Sequence, residues 1–138
     1  QIAMMYGELG EKEQMKKIME DLIKSKTGNP SKRVEYANSY YKELEDSETA
    51  LGILEDMRSQ FVQMEGMVKV RGFGKKSITK ASWNRWQKAY PEVVSSLVYI
   101  YRKNDQLMDA ELVLSDWVDR NPSDKNAQNI LEEIRSGG

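Results

Sequence analysis

The sequence contains no cysteine and no histidine among its 138 residues. Without cysteine there is no disulfide, no thiolate nucleophile and no zinc site built on sulfur. Without histidine the commonest general base and the commonest transition-metal ligand are missing. Catalysis would fall to carboxylate, Lys, Tyr or Ser groups, so the composition points away from an enzyme, and no cofactor is expected. No apolar run approaches the roughly 20 residues that cross a bilayer, and the first ten residues lack the basic start and the length of a signal peptide. Charge of either sign is not in excess: 21 Lys and Arg face 22 Asp and Glu. That balance offers no global attraction to nucleic acid or a membrane surface. These absences favour a soluble, cytoplasmic setting, with no membrane contact by this fragment itself. The opening residues Ile2, Met4 and Met5 read as the middle of an apolar helix face. A piece of a longer protein is the expectation, with any targeting or anchoring segment outside it.

Proline is also scarce, with 3 residues, and helix formers dominate. No stretch alternates apolar and polar residues in steps of two, so an all-α fold is expected. The end of one helix is expected over 1–9, capped by Gly10. A second is expected over about 12–25, with Met15, Ile18, Met19, Leu22 and Ile23 on one face. Pro30 suits the first position of the next helix, which carries Val34, Ala37, Tyr40, Tyr41 and Leu44. Asp46 or Ser47 can cap a long apolar stripe from Ala50 to Val68. The segment from Lys69 to Ser77 is basic, glycine-punctuated and without period. A short helix over about 79–89 follows, and Pro91 is expected to open another, with Val94, Leu97, Val98 and Tyr101. A turn at Asn104-Asp105 precedes a helix through Trp117. The Asn121-Pro122 break then leads to a last helix over about 124–135.

Helix pairs at near-regular spacing invite a repeat test. In the last pair Val94, Leu97 and Tyr101 precede Ala110, Leu114 and Trp117, and Pro122 closes the unit. The middle pair holds Val34, Ala37 and Tyr41, then Ala50, Leu54 and Met57. The first holds Ile2 and Tyr6, then Met15, Met19 and Leu22. This pattern resembles the tetratricopeptide repeat, a helix–turn–helix unit of 34 residues. The resemblance implies a short α-solenoid of about three helix pairs in one domain, with units at about 1–30, 31–63 and 91–123. The step from Ala50 to Ala110 is 60 residues, 26 more than one such unit. An insertion is therefore placed at about 64–90, and 124–135 becomes a capping helix. A generic helical bundle is the alternative.

The family's first helices line a concave groove that holds peptides or partner helices. The resemblance therefore implies a groove lined by Lys32, Glu35, Tyr36, Ser39 and Lys42 from the middle unit. The last unit would add Glu92, Ser95, Ser96, Tyr99, Arg102 and Lys103. Tyr36, Tyr99 and Arg102 are the residue types that most often anchor partners. The Asn residues with which some family members grip a C-terminal carboxylate have no counterpart here, which argues against docking of that kind.

The insertion carries Lys69, Arg71, Lys75, Lys76, Lys80, Arg85 and Lys88 against Glu65, a local charge of +6 in a chain whose total is −1. Arg71, Lys75, Lys76 and Arg85 are candidate anion ligands, and Phe73, Trp83 and Trp86 could stack on single-stranded bases. The bland reading is a helix whose tryptophans pack inward while its lysines stay in water. A nucleotide P-loop is excluded, since Lys69 stands where its first glycine belongs and Lys76 separates Lys75 from Ser77. The acidic groups around residues 43–48 and 116–124 lack the spacing of a calcium loop and read as helix-end charges. The leading expectation is a protein-interaction module or scaffold. One alternative is a soluble C-terminal domain supporting a larger enzyme, membrane-bound or not. Another is anion or single-stranded nucleic-acid binding through the insertion, with nucleic acid the least favoured partner.

Overall fold

A computed structural model of the chain describes residues 29–74 and 77–137, together with Glu13, Gln14, Lys17 and Glu20. Those four are helical and exposed. The helix end expected over 1–9, the apolar face expected over 12–25 and most of the first repeat unit lie outside the described residues. So do Lys75 and Lys76. Among the described residues the chain is all-helical, with no strand. Its helices include α1 (Pro30–Lys42), α2 (Ser47–Arg71), α3 (Lys80–Lys103), α4 (Leu107–Arg120) and α5 (Lys125–Arg135).

Local chemistry starts these helices. The Asn29 side chain accepts from the Ser31 amide and Pro30 opens α1. Asp46 accepts from the Thr49 amide at 3.0 Å, Thr79 from Ser82 at 3.1 Å and Asp124 from Ala127 at 3.0 Å. Each satisfies an amide that the helix leaves unpaired at its first turn. α2 ends only at Gly72, whose φ of 68° takes the left-handed region where a glycine has no Cβ to clash.

Two expectations need correction. The helices expected at about 79–89 and from Pro91 are one, α3, with Pro91 inside it. Pro91 lacks the amide that would bond the Gln87 carbonyl. Burial overrides that loss: Trp83, Trp86 and Tyr90 before it, and Val93, Val94 and Leu97 after it, all lie in the core. The aperiodic segment expected from Lys69 begins later, because Lys69, Val70 and Arg71 complete the last turn of α2. Gly66 lies within that helix.

Each helix packs on its chain neighbours, and α1 also packs on α3. α5 has backbone contacts with α4 alone among the described helices. One apolar cluster runs from Val34 on α1 to Ile134 on α5. Ala50 and Ala110, the small residues of the aligned pairs, are fully buried. An aromatic stack joins the long helices: Phe61 of α2 lies between Trp83 and Tyr90 of α3, with ring centroids 5.1 and 3.8 Å apart. Polar ties sit at its margin. Arg120 of α4 donates to Glu65 of α2 at 2.6 Å and to Asp116 at 3.0 Å. The Tyr101 hydroxyl donates to Glu55 at 2.8 Å.

Candidate functional site

The second half of α3 separates two clefts. The first, of about 830 Å³, lies between α1 and α3 and is walled by Glu35, Ser39 and Lys42 on one side and Ser95, Ser96 and Tyr99 on the other. Asn38 joins its walls, donating to the Ser96 hydroxyl at 3.2 Å. The second, of about 670 Å³, lies between α3 and the α4–α5 pair. Its apolar lining includes Val94, Val98, Leu114, Trp117 and Ile130, and Arg102 and Lys103 stand at the C-terminal end of α3. Ser95 and Tyr99 line both clefts.

Tyr99 is 52% exposed, although it lies one residue from the fully buried Ile100. Its ring meets Tyr41 edge-on at 6.1 Å, and the Lys103 ammonium stands 5.7 Å from its centroid. A half-exposed aromatic held on two sides can meet a partner at little further loss of rotamer freedom. Arg102 reaches across to Glu133 of α5 at 3.6 Å, with both groups exposed. Such a pair contributes little to stability and can be exchanged for a partner's carboxylate. Asp124 at the second cleft accepts from the Trp117 indole at 2.9 Å, and this bond, with the Ala127 amide, holds its carboxyl below the ordinary range.

The expected groove residues are therefore only partly assembled. Glu35, Ser39, Lys42, Ser95, Ser96, Tyr99, Arg102 and Lys103 line these two clefts. Tyr36 packs against the core and lines neither. Lys32 is engaged with Glu35 at 3.4 Å. Glu92 borders a smaller hollow of about 270 Å³ beside Pro91. Sequence reasoning missed Asn38 and the α5 contribution from Asn126 and Ile130. The three- and four-residue steps through Ala127, Ile130, Leu131 and Ile134 were the available signal for an inward face.

Among the described residues, the basic side chains expected to hold an anion do not share one pocket. Arg85 borders a cleft of about 580 Å³ with Arg33, Gln60 and Trp86, whereas Arg71 stands exposed at the end of α2. The Gly74 amide bonds the Ile78 carbonyl, which removes it from an anion-binding nest. Trp83 and Trp86 are each 9% exposed, their rings committed to the core rather than offered to bases. Among the described residues no three Asp or Glu side chains converge as a metal site requires, and no helix is long and apolar enough to cross a membrane.

No protein-family model, no curated protein and no solved structure matches this chain.

Proposed function

We propose that this chain is a tetratricopeptide-like α-solenoid and a protein-interaction module without chemistry of its own. In this reading α1 and α2 form one unit, the second half of α3 and α4 form the next, and α5 caps the stack. A peptide or partner helix lies along α3, with Tyr99 as its central anchor. The observation that carries the reading is the shared position of Tyr99 and Ser95 on two adjoining clefts. The order of packing supports it, because α1 packs on α3 beside the first cleft, while α5 packs its backbone on α4 and meets α3 through the exposed Arg102–Glu133 pair, so the second cleft stays open. The apolar wall beside Arg102 and Lys103 suits an aliphatic side chain followed by a carboxylate.

Panning a random peptide phage library against the chain tests this. Enriched peptides should lose binding roughly tenfold or more on Tyr99→Ala, the range of a central aromatic anchor. Ser95→Trp should weaken them by obstructing both clefts from an exposed position. Peptides that bind both variants as they bind the parent would place the working surface elsewhere.

A further inference from the structure

The α2–α3 hairpin makes its turn at the opposite end of α3 from Tyr99, and exposed apolar side chains stand among basic ones there. Val70 is 84% exposed and Phe73 46%. Lys69 and Arg71 stand beside them in the last turn of α2, and Lys80 opens α3; all three are exposed. Glu65, the one acid between residues 62 and 90, is occupied by Arg120 at 2.6 Å and Lys69 at 3.8 Å. Because Arg120 closes α4 at the level of Glu65, the final turns of α2 run on past that helix.

We infer that this turn is a docking site for an anionic lipid bilayer, with Val70 and Phe73 entering the interface and Lys69, Arg71 and Lys80 meeting the headgroups. This goes beyond the groove reading and departs from the expectation that the fragment makes no membrane contact. Charge supplies the first argument. Residues 62–90 carry +6 and the remainder −7, so an anionic surface attracts this stretch of chain and repels the rest. Chemistry supplies the second, since exposed apolar side chains flanked by Lys69 and Arg71 match the boundary between acyl chains and headgroups, whereas a protein would need a matching acidic hollow. Stiffness supplies the third. The Trp83–Phe61–Tyr90 stack fixes α2 against α3, and Val70 stands on α2 itself, so little ordering of its backbone is left for docking. Single-stranded nucleic acid fits less well, because both tryptophans of the hairpin are buried and Phe73 alone of the three expected stacking rings stays open to a base.

Cosedimentation with lipid vesicles is the test. The chain should sediment with phosphatidylcholine–phosphatidylserine vesicles at low salt and stay in solution with phosphatidylcholine alone. Each cation at an anionic surface is worth roughly fivefold in partition, so Lys69→Glu with Arg71→Glu should lower binding by at least about tenfold. Val70→Ser with Phe73→Ser, at unchanged charge, should lower it by roughly fivefold. Tyr99→Ala should leave it unchanged. Since the chain has no cysteine, Val70→Cys offers a single attachment point for an environment-sensitive dye, whose emission should shift to the blue on anionic vesicles. The proposal is overturned by an absence of binding to anionic vesicles at low salt. Binding indifferent to the Val70 and Phe73 changes also overturns it. A third overturning result is a single-stranded oligonucleotide that binds at lower concentration than the vesicles do and depends on Lys69 and Arg71.

Discussion

Asp124 shows how much one side chain can hold. It starts α5 through the Ala127 amide and ties the Trp117 indole of α4 to the same carboxylate. Both bonds favour the ionised form, so its stabilisation is present above the ordinary carboxylate range and is lost as pH falls through the depressed folded value. Asp124→Ala should cost about 1–2 kcal/mol in urea unfolding near neutral pH, and the gap to the parent should narrow in acid. Tyr101 behaves in the opposite sense. Burial first, then the hydrogen bond to Glu55 and its charge, raise its hydroxyl well above the ordinary 10.0. A raised folded value means that stability is full below pH 10.0 and drains as pH climbs toward the folded value. Burial pushes Tyr90 and Tyr40 in the same direction. Alkaline unfolding curves should therefore steepen above pH 10, and Tyr101→Phe, although less stable at neutrality, should flatten that limb. The cap at Asp124 was legible because its partner is three residues away. The Tyr101–Glu55 bond was not, because it spans 46 residues and only folding brings its ends together.

α3 is the element on which the fold turns. Its first half stacks on Phe61 and its second half carries the clefts, so one rigid rod of about 36 Å at 1.5 Å per residue joins the basic turn to Tyr99. Phe61→Ala would remove the ring shared by Trp83 and Tyr90 and should cost about 3–5 kcal/mol, read by chemical denaturation. Pro91→Ala should act the other way. It restores an amide to the Gln87 carbonyl at an exposed position, and after allowing for the freer unfolded chain a gain of about 1–2 kcal/mol is expected. Thermal unfolding would measure it, and a loss would mean that Pro91 shapes α3 to its neighbours. A break at Pro91 was the natural sequence reading, because local chemistry disfavours proline within a helix. Apolar contacts on both sides of it decided otherwise.

Across the molecule, stability is passed from helix to helix, and α5 is the outermost described link. Ala127, Leu131 and Ile134 are buried, and α5 packs on α4. Ending the chain after Ser123 would expose the face of α4 they cover and forfeit roughly 5 kcal/mol of apolar burial. The shortened chain should unfold at clearly lower urea and bind a hydrophobic dye at neutral pH. The same packing made the second cleft hard to foresee. Its far wall belongs to a helix that the sequence marks as a cap with a solvated outer face, and the amphipathic period of 124–135 says which side is oily without saying what that side faces.

The all-helical class, the capping residues and the buried small positions Ala50 and Ala110 follow from the amino-acid order alone, since each rests on neighbours a few residues apart. The continuity of α3 through Pro91, the aromatic stack on Phe61 and the placing of Tyr99 between two clefts were decided only in three dimensions. They depend on contacts between segments distant in the chain, where burial of apolar surface outweighs the local preference of any single residue.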